Sequence, residues 1–307
     1  MSRLVSKKIN VLLSALTDLD GKLIINAPMS RYTTMRVGGP ALALYQPKCL
    51  TDLRDAIKLI SGNNISLLAI GRGSNIIVKD SGTEKIVIKL SSPFFNKVKA
   101  SDNYLICGGG VFLNKICYMA ERNSLGGSEF LIGIPGTIAG AIVQNAGAHG
   151  SSISDIVRDI SCVNLKGNIE TLKRDEISFG YRESNLAKKI IVGVTLALKT
   201  KSRKKINSLL SSYVRERLSQ QDYAFPSAGC IFKNPKGSAL SAGELIDRCG
   251  LKGEILGGAY ISDKHANFIV NRSKAKASEI IDLASIIRIR VKEKFNITLE
   301  EEVKIIN

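Results

Sequence analysis

The sequence predicts an α+β fold, because short strand patterns and separate helical patterns follow one another in irregular order along the chain. A doubly wound sheet, which needs strands and helices in regular alternation, is disfavoured. Two glycine-rich turns, each flanked by apolar strand patterns, are the second informative feature. The chain has 307 residues, 44% hydrophobic and 23% charged, so it is long enough for two or three compact units of ordinary globular composition.

The first half of the chain mixes helical and strand patterns. A helix is predicted from Leu12 to Leu19. Between Tyr45 and Leu90 the predicted order is strand, helix with Thr51 as N-cap, strand, glycine turn and strand. Residues 104–126 predict a strand and then a helix, and we place the first unit at residues 1–92.

The second half predicts two further units. Short strands near residues 157–172 and 189–200 complete a unit that we place at 93–200. The third unit, 201–307, is predicted to end with the strand LEEEVKII. Its predicted helices run from Leu209 to Leu218, from Ser241 to Cys249 and from Ser278 to Phe295.

Residues 132–150 read IGIPGTIAGAIVQNAGAHG and contain five glycines. Glycine adopts positive φ and lets a ligand approach the main chain, and successive N–H groups in one concavity bind phosphate oxygens. We therefore interpret this loop as one wall of a nucleotide-cofactor site. The alternative is a run of tight turns between short strands.

A second glycine turn, Gly71-Arg72-Gly73-Ser74-Asn75, lies between two apolar runs and predicts a strand–turn–strand unit. It lacks the acidic partner and following helix of the Rossmann fingerprint, and the chain contains no GxxxxGK[ST] motif. If a diphosphate binds here, backbone amides and the hydroxyls of Ser74 and Thr137 hold it.

The formal charge of +17 raises the possibility of a nucleic-acid partner, but the composition disfavours it. The chain has no tryptophan and only 6% aromatic residues, which is poor material for base stacking. The basic run Lys199–Lys205 is interpreted as a solvated linker. The overall positive field is expected to concentrate small anionic substrates.

Cysteine usage and hydropathy limit the remaining classes. Six scattered cysteines without a CxxC motif, together with two histidines, predict neither a metal site nor a disulfide framework. The N-terminus lacks a signal-peptide pattern, and no apolar run is long enough to span a membrane. We expect a cytoplasmic protein without a membrane partner.

Eight segments, in this order, resemble the UDP-N-acetylenolpyruvoylglucosamine reductase family, of its shorter type. They are TTMRVGGPA (33–41), GRGSNIIVKD (71–80), IGIPGTIAGAIVQNAGAHG (132–150), FGYRES (179–184), SAGCIFKNP (227–235), AGELIDRCGLKG (242–253), KHANFIVN (264–271) and LEEEV (299–303). Each segment alone is a weak signal, but the ordered set is highly specific.

The resemblance implies an FAD-binding fold of the vanillyl-alcohol-oxidase (PCMH) type, in which two subdomains hold non-covalent FAD and a third α+β domain binds the substrate. The implied reaction is the NADPH-dependent reduction of UDP-N-acetylglucosamine enolpyruvate to UDP-N-acetylmuramate, in cytoplasmic peptidoglycan precursor synthesis. The implied enzyme is a monomer with no nucleic-acid partner.

The resemblance also implies binding residues. The substrate-binding positions are Tyr181, Arg182, Lys233 and Asn234. The cofactor-binding positions are Gly71, Gly73, Ser74, Asn75, Gly133, Ile134, Pro135, Gly136, Thr137, Gly140, Asn145, Ala146 and Gly147.

Three catalytic residues follow from the same resemblance. Hydride addition to the enolpyruvyl β-carbon leaves negative charge at the α-carbon and carboxylate, which a fixed cation stabilises. Arg182 fits that role, although pairing with a surface acid is its ordinary structural alternative. Cys230 lies at the proton-donor position, and Glu302 is expected to polarise the developing enolate with Arg182.

This chain departs from the usual pattern at several of these positions. Cys230 stands where serine is common, and Gln220 stands where a diphosphate-binding lysine is common. His149 and Ala139 replace the usual tyrosine and glycine, and His149 receives no role in proton transfer.

Two rival classes stay open from the residues alone. A flavin oxidase of the same fold would use oxygen and could share both glycine loops, but it has no reason to carry YRES, SAGC and LEEEV together. A nucleic-acid binder would explain only the charge.

Overall fold

The protein is described by a computed structural model that covers residues 3–307, with side chains from Lys8 onward. The chain divides into two compact units, which alternate along the sequence. Unit 1 comprises the chain up to Ala27, Leu42–Gly71 and Glu84–Arg215. Unit 2 comprises Pro28–Ala41, Arg72–Thr83 and Glu216–Asn307.

The described helices are α1 (Arg3–Thr17), α2 (Leu50–Gly62), α3 (Leu113–Arg122), α4 (Ile138–Val143), α5 (Arg203–Gln220), α6 (Ala242–Arg248) and α7 (Ala277–Phe295). The strands of the first half are β1 (Lys22–Pro28), β2 (Pro40–Gln46), β3 (Leu67–Ile70), β4 (Ile76–Val78), β5 (Thr83–Lys89), β6 (Val98–Ser101), β7 (Tyr104–Gly108), β8 (Leu125–Gly126), β9 (Gly147–Ala148) and β10 (Ser151–Ser152). The remaining strands are β11 (Val157–Asn164), β12 (Ile169–Lys173), β13 (Phe179–Gly180), β14 (Glu183–Ser184), β15 (Lys189–Ala197), β16 (Lys199–Thr200), β17 (Ser227–Cys230), β18 (Ile255–Leu256), β19 (Ala259–Ile261), β20 (Phe268–Asn271) and β21 (Lys304–Ile306).

Unit 1 is built on two sheets, with strand orders β1-β2-β5-β3 and β12-β11-β15-β7-β6. Helix α2 covers one core because its apolar residues recur at helical spacing; Leu53, Ala56, Ile57 and Ile60 are all buried. Each such large aliphatic side chain stabilises the fold by about 1.5–3 kcal/mol relative to exposure.

The predicted N-cap of α2 is wrong. The helix begins at Leu50 with Cys49 as N-cap, two residues earlier than a cap at Thr51 allows. The carboxylate of Asp52 is the local acceptor: it takes a hydrogen bond from the Lys48 N–H at 2.6 Å and one from the Tyr45 hydroxyl. Cys49 makes no side-chain cap hydrogen bond, and Asp52 instead ties the residues before the helix to its first turn.

The run Lys199–Lys205 is solvated, as predicted, but the prediction that it is a linker is wrong. Lys199 and Thr200 form strand β16, which pairs with β8. The Lys201 ammonium lies 2.8 Å from the buried carboxylate of Glu129, and the Arg203 guanidinium pairs with the buried carboxylate of Glu121. Two buried acids thus attach this basic segment, and the start of α5, to the body of unit 1.

Unit 2 contains a sheet with strand order β17-β20-β19-β18, covered by α6 and α7. A parallel pair, β21 with β4, brings the chain terminus beside the strand that follows the second glycine turn. Only Lys304–Ile306 of the predicted strand LEEEVKII are strand; Leu299–Val303 run irregularly, because their pairing partner is a loop rather than a strand.

Candidate active site

The two glycine-rich loops meet at Gly71 and Thr137, both in unit 1. A Cβ on Gly71 would overlap the hydroxyl of Thr137, so only glycine permits this approach. In unit 2, Gly73 has φ +66°, and a Cβ there would overlap the backbone at Tyr32. Each of these stretches of bare backbone offers the close main-chain approach that the diphosphate of a dinucleotide cofactor needs.

Several amides of the first loop already have partners within the protein. The N–H of Gly133 donates to the Asn114 side chain at 2.9 Å, and the N–H of Gly136 donates to the Ile134 carbonyl at 2.9 Å. Thr137 caps α4, a helix that the sequence patterns did not predict, by accepting from the Gly140 N–H at 3.4 Å. The N–H groups of Gly133 and Gly136 are therefore already used within the protein, and these two glycines serve mainly to shape the turn.

Arg182 lies at the tip of the hairpin that joins β13 and β14, with φ +61°. A left-handed backbone costs about 1 kcal/mol or more at a residue other than glycine, and persists only where the surroundings impose it. The surroundings here are the first glycine loop: the Asn145 amide donates to the Gly180 carbonyl at 2.9 Å, and Arg182 Nη1 donates to the Gly147 carbonyl at 3.1 Å. The guanidinium is thus fixed against the predicted cofactor loop.

Tyr181 is the other residue of this hairpin tip. Its side chain is 48% exposed, and its ring centroid lies 5.7 Å from the Arg182 guanidinium carbon. An exposed aromatic ring beside a fixed cation suits a polar ligand with a flat portion.

His149 follows the same loop and has a packing contact. Its ring stacks on Tyr213 of α5, with centroids 3.7 Å apart and planes 6° from parallel. This contact agrees with the structural role expected for a lone histidine.

Cys230 ends β17 and is half-buried. It lies opposite Phe268 of β20, after an irregularity in register at Gly229, whose φ is +75°. A Cβ on Gly229 would meet no atom within 4 Å, so the backbone beside the thiol faces open space.

Glu302 lies close to Cys230 in the fold of unit 2. Its N–H donates to the carbonyl of Ile231 at 2.7 Å, one residue beyond Cys230. Its own carbonyl accepts from the side-chain amide of Asn75 at 3.1 Å. Three predicted site residues, Asn75, Cys230 and Glu302, are therefore brought together, although Asn75 and Glu302 are 227 positions apart.

The other members of the acidic triplet have different partners. Glu300 pairs with Lys233 at 2.5 Å, and Glu301 pairs with Arg288 of α7 at 2.6 Å. These ion pairs therefore occupy the two neighbours of Glu302.

Lys233 and Asn234, predicted to bind substrate, both have partners within unit 2. Lys233 pairs with Glu300, and the Asn234 side-chain carbonyl accepts from the Ala242 N–H at 3.0 Å, which caps α6. Each retains polar atoms beyond these contacts, so binding of a ligand is chemically compatible with both.

Arg217 is a candidate that the sequence analysis missed. It lies on α5 one turn before Gln220, and its buried Nε has no hydrogen-bond partner among the described residues. A buried unpartnered guanidinium nitrogen points to a missing anion. The departure at Gln220 was a signal to look for a cation one helical turn away.

Metal sites and membrane spans each require features of their own in the residues that the structure describes, 3–307. No cluster of three or more histidine, cysteine, aspartate or glutamate side chains suited to a metal ion occurs in that part of the chain. No helix in it is long and apolar enough to cross a membrane.

Comparison with known proteins first defines the class. Residues 41–173 match the FAD binding domain family. The fold resembles that of a berberine bridge enzyme variant described as a reticuline dehydrogenase, with a TM-score of 0.50, 14% identity, and coverage of 62% of this chain and 44% of that one. The protein is a flavoprotein oxidoreductase with the FAD-binding fold of the vanillyl-alcohol-oxidase (PCMH) type.

Longer matches define the family. Residues 220–306 match the C-terminal domain of UDP-N-acetylenolpyruvoylglucosamine reductase. The reductase of that name from Clostridioides difficile (strain 630) is 38% identical over 284 residues, covering 92% of each chain. That from Alkaliphilus oremlandii is 38% identical over 286 residues, covering 92% of this chain and 93% of that protein.

A solved structure agrees over nearly the whole chain. The crystal structure of the reductase (MurB) from Thermus caldophilus matches with a TM-score of 0.79 and 33% identity, covering 94% of this chain and 100% of that one. The chain belongs to the UDP-N-acetylenolpyruvoylglucosamine reductase family, and the resemblance drawn from the eight sequence segments is confirmed.

Proposed function

We propose that this chain reduces UDP-N-acetylglucosamine enolpyruvate to UDP-N-acetylmuramate with NADPH, through bound FAD, in cytoplasmic peptidoglycan precursor synthesis. Family membership supports the substrate and co-substrate. The structural observation that carries the proposal is Arg182, an arginine held in a left-handed turn against the loop proposed to hold FAD.

Arg182 is proposed to bind the substrate carboxylate. A guanidinium remains charged at all physiological pH values and meets a carboxylate in a bidentate arrangement. Its fixed position matters most once hydride has reached the enolpyruvyl β-carbon, because charge then collects on the α-carbon and carboxylate.

Cys230 is proposed to deliver the proton that ends the reaction. Its S–H bond breaks, the proton joins the substrate α-carbon, and the thiolate regains a proton from solvent. A thiol is a far stronger acid than the serine hydroxyl common at this position, so the replacement preserves the chemistry.

Glu302 is proposed to polarise the developing enolate together with Arg182. The position of its backbone next to Ile231, beside the proposed donor, supports this assignment. A carboxyl in that role acts best when it is protonated or hydrogen-bonded.

FAD, when bound, supplies the hydride-transfer chemistry between NADPH and substrate. We propose that residues 1–92 and 93–200 hold it without a covalent bond. The positions proposed to contact it lie on the two glycine loops. They are Gly71, Gly73, Ser74 and Asn75 on one loop, and Gly133, Ile134, Pro135, Gly136, Thr137, Gly140, Asn145, Ala146 and Gly147 on the other. Acid precipitation tests the non-covalent bond, since flavin retained on the pelleted protein would contradict it.

The nucleotide-sugar is proposed to lie against residues 201–307. Tyr181 and Asn234 are proposed contacts, and Lys233 contributes if Glu300 shares its ammonium group. Arg217 is proposed to replace the missing lysine at Gln220 as a cation for the diphosphate, because its buried Nε has no hydrogen-bond partner among the described residues.

Two measurements test the function. The purified protein should absorb near 450 nm, and it should oxidise NADPH only when the enolpyruvyl substrate is present. Oxygen-dependent turnover without that substrate would favour the flavin oxidase instead. The proposal includes a monomer and no nucleic-acid partner, and light scattering with and without added DNA checks both.

A further inference from the structure

The acidic triplet Glu300–Glu302 is held by ion pairs on the two neighbours of Glu302. The Arg288 Nη1 atom lies 2.6 Å from Glu301 Oε1, and Lys233 Nζ lies 2.5 Å from Glu300 Oε1. Arg288 projects from α7, whose inner face is packed in the core of unit 2, so the guanidinium has a rigid base.

The backbone of the same segment is anchored at both ends of Glu301. Glu301 forms an isolated antiparallel bridge with Phe232, the N–H of Lys233 donates to the Glu300 carbonyl at 2.8 Å, and that of Glu302 donates to the Ile231 carbonyl at 2.7 Å. This single bridge is the only pairing that the described residues show for 299–303 before β21 begins.

Leu299 and Val303 are buried in the core of unit 2 and set the register of this segment, and the ion pairs of Glu300 and Glu301 act on the side chains between them. Slippage by one residue would place Glu301 or Val303 where Glu302 stands. The ion pair between Arg288 and Glu301 also opposes this slippage, because a shifted segment would leave a half-buried arginine without its carboxylate.

We propose that Arg288 is a positioning residue, which acts through Glu301 to hold Glu302 in register with Cys230. The inference rests on the role of Glu302 in the proposed function. It assigns to Arg288 no contact with substrate or cofactor. The alternative is an ordinary surface ion pair, which contributes about 0–1 kcal/mol to stability and nothing to chemistry.

The test separates the two half-reactions by stopped-flow absorbance. Arg288→Gln should slow the oxidation of the flavin by the enolpyruvyl substrate by about tenfold, since small misplacements of catalytic groups are costly. Reduction of the flavin by NADPH and the Kd for substrate should each stay within about twofold of the parent, since no contact with either ligand is lost.

Lys252→Gln is the matched control, because Lys252 and Asp247 form a comparable ion pair of unit 2 at 2.7 Å. It should leave both half-reactions unchanged while shifting the melting temperature as little as Arg288→Gln does.

Charge reversal, Arg288→Glu with Glu301→Arg, keeps the combined side-chain length and should recover at least half of the lost rate. Arg288→Lys, which keeps the charge, should recover part of it.

Three results would overturn the inference: a parental substrate half-reaction in Arg288→Gln, equal slowing of both half-reactions, or no recovery in either rescue variant. Glu302→Gln tests the proposed role of Glu302 separately from the positioning role of Arg288. If Glu302→Gln is itself as fast as the parent, the role of Glu302 fails; if it is slow while Arg288→Gln is not, only the positioning role fails.

Discussion

Arg182 is unusual at the residue scale because it combines a positive φ with a long charged side chain. The energy stored in that turn is offset by contacts with Asn145 and Gly147, so the guanidinium loses little further freedom when it meets a ligand. Pre-organised charge of this kind favours the charged transition state over the ground state.

Arg182→Lys should therefore lower kcat by about a hundredfold, or roughly 3 kcal/mol of barrier, because an ammonium cannot match the bidentate geometry. Reduction of the flavin by NADPH should stay nearly intact in a stopped-flow assay. Arg174→Lys is the control, since Arg174 bonds only the carbonyls of Ser154 and Ile177 among its described hydrogen bonds. Equal loss in both half-reactions would identify Arg182 as structural.

Substitution of Cys230 should separate donor chemistry from packing. Cys230→Ala should preserve reduction by NADPH and cripple substrate turnover, whereas Cys230→Ser should keep substantial activity. With cysteine, turnover should fall on the alkaline side, since thiols ordinarily ionise near pH 8.5 and a thiolate donates no proton. In Cys230→Ser the fall in turnover at alkaline pH should move to higher pH or vanish.

Cys249→Ser is the control for this series, because Cys249 is another partly exposed thiol of unit 2. It should leave the pH profile unchanged, and alkylation of this variant should still abolish activity unless substrate protects Cys230. Parental turnover by Cys230→Ala at every pH would remove the donor assignment.

At the scale of elements, the sequence patterns correctly predicted helices and turns that depend on neighbouring residues alone. The apolar spacing in 50–62 and 277–295 located α2 and α7, and glycine with β-branched neighbours located the turn between β3 and β4. The same patterns misplaced an element boundary that depends on residues far away in the sequence. The start of α5 was missed because Arg203, its first residue, pairs with Glu121, which is 82 positions away in the sequence.

In the candidate site, too, some features could be predicted from the sequence and others depend on contacts between distant residues. Glycine content predicted the loops, and the order of the motifs led to the prediction of Arg182, Cys230 and Glu302 as site residues. Pairing of Glu300 with Lys233 and of Glu301 with Arg288 could not be foreseen, since periodicity carries no information on which distant residues meet. The contact of Asn75 with Glu302 likewise depends on the parallel pairing of β21 with β4.

The N-terminus of α7 depends on a side chain from outside the helix. Asp80 follows β4, and its two carboxylate oxygens accept from the Ala277 and Ser278 N–H groups at 2.8 and 2.9 Å. Burial alone would raise the pKa of Asp80, but these hydrogen bonds, with help from Lys276, outweigh it and hold the pKa below the ordinary value of 3.8.

Asp80→Ala should lower the free energy of unfolding by about 1–2 kcal/mol, the usual cost of losing a helix cap. Because the folded pKa is depressed, this stabilisation is present above the ordinary aspartate pKa and is lost as pH falls through the folded value. Urea denaturation at pH 7 and below pH 4 measures both effects. Asp282→Ala, an exposed position on the same helix, should change stability by less than about 0.5 kcal/mol; an equal loss would rule out a specific cap.

For the whole molecule, the formal charge of +17 is the dominant feature that the site geometry does not explain. Some basic groups are neutralised by ion pairs, as at Lys201 and Lys189, but both lysines of α5, Lys204 and Lys205, are exposed. Both proposed small-molecule partners are anions. A net positive field raises the rate at which anions reach a protein without changing the chemical step.

The field should therefore appear as a salt dependence of kcat/KM. Raising ionic strength from 0.01 to 0.15 M shortens the screening length from about 30 to about 8 Å and should lower kcat/KM for NADPH by up to roughly tenfold, with kcat nearly constant. Replacing Lys204 and Lys205 by glutamate lowers the formal charge by four, from +17 to +13, and should flatten that dependence. Oxidation of the reduced enzyme by oxygen, a neutral reactant, is the control and should not respond to salt. If kcat falls with kcat/KM, or if the neutral reactant is slowed equally, salt acts on the protein itself and the positive field has no part in capturing substrate.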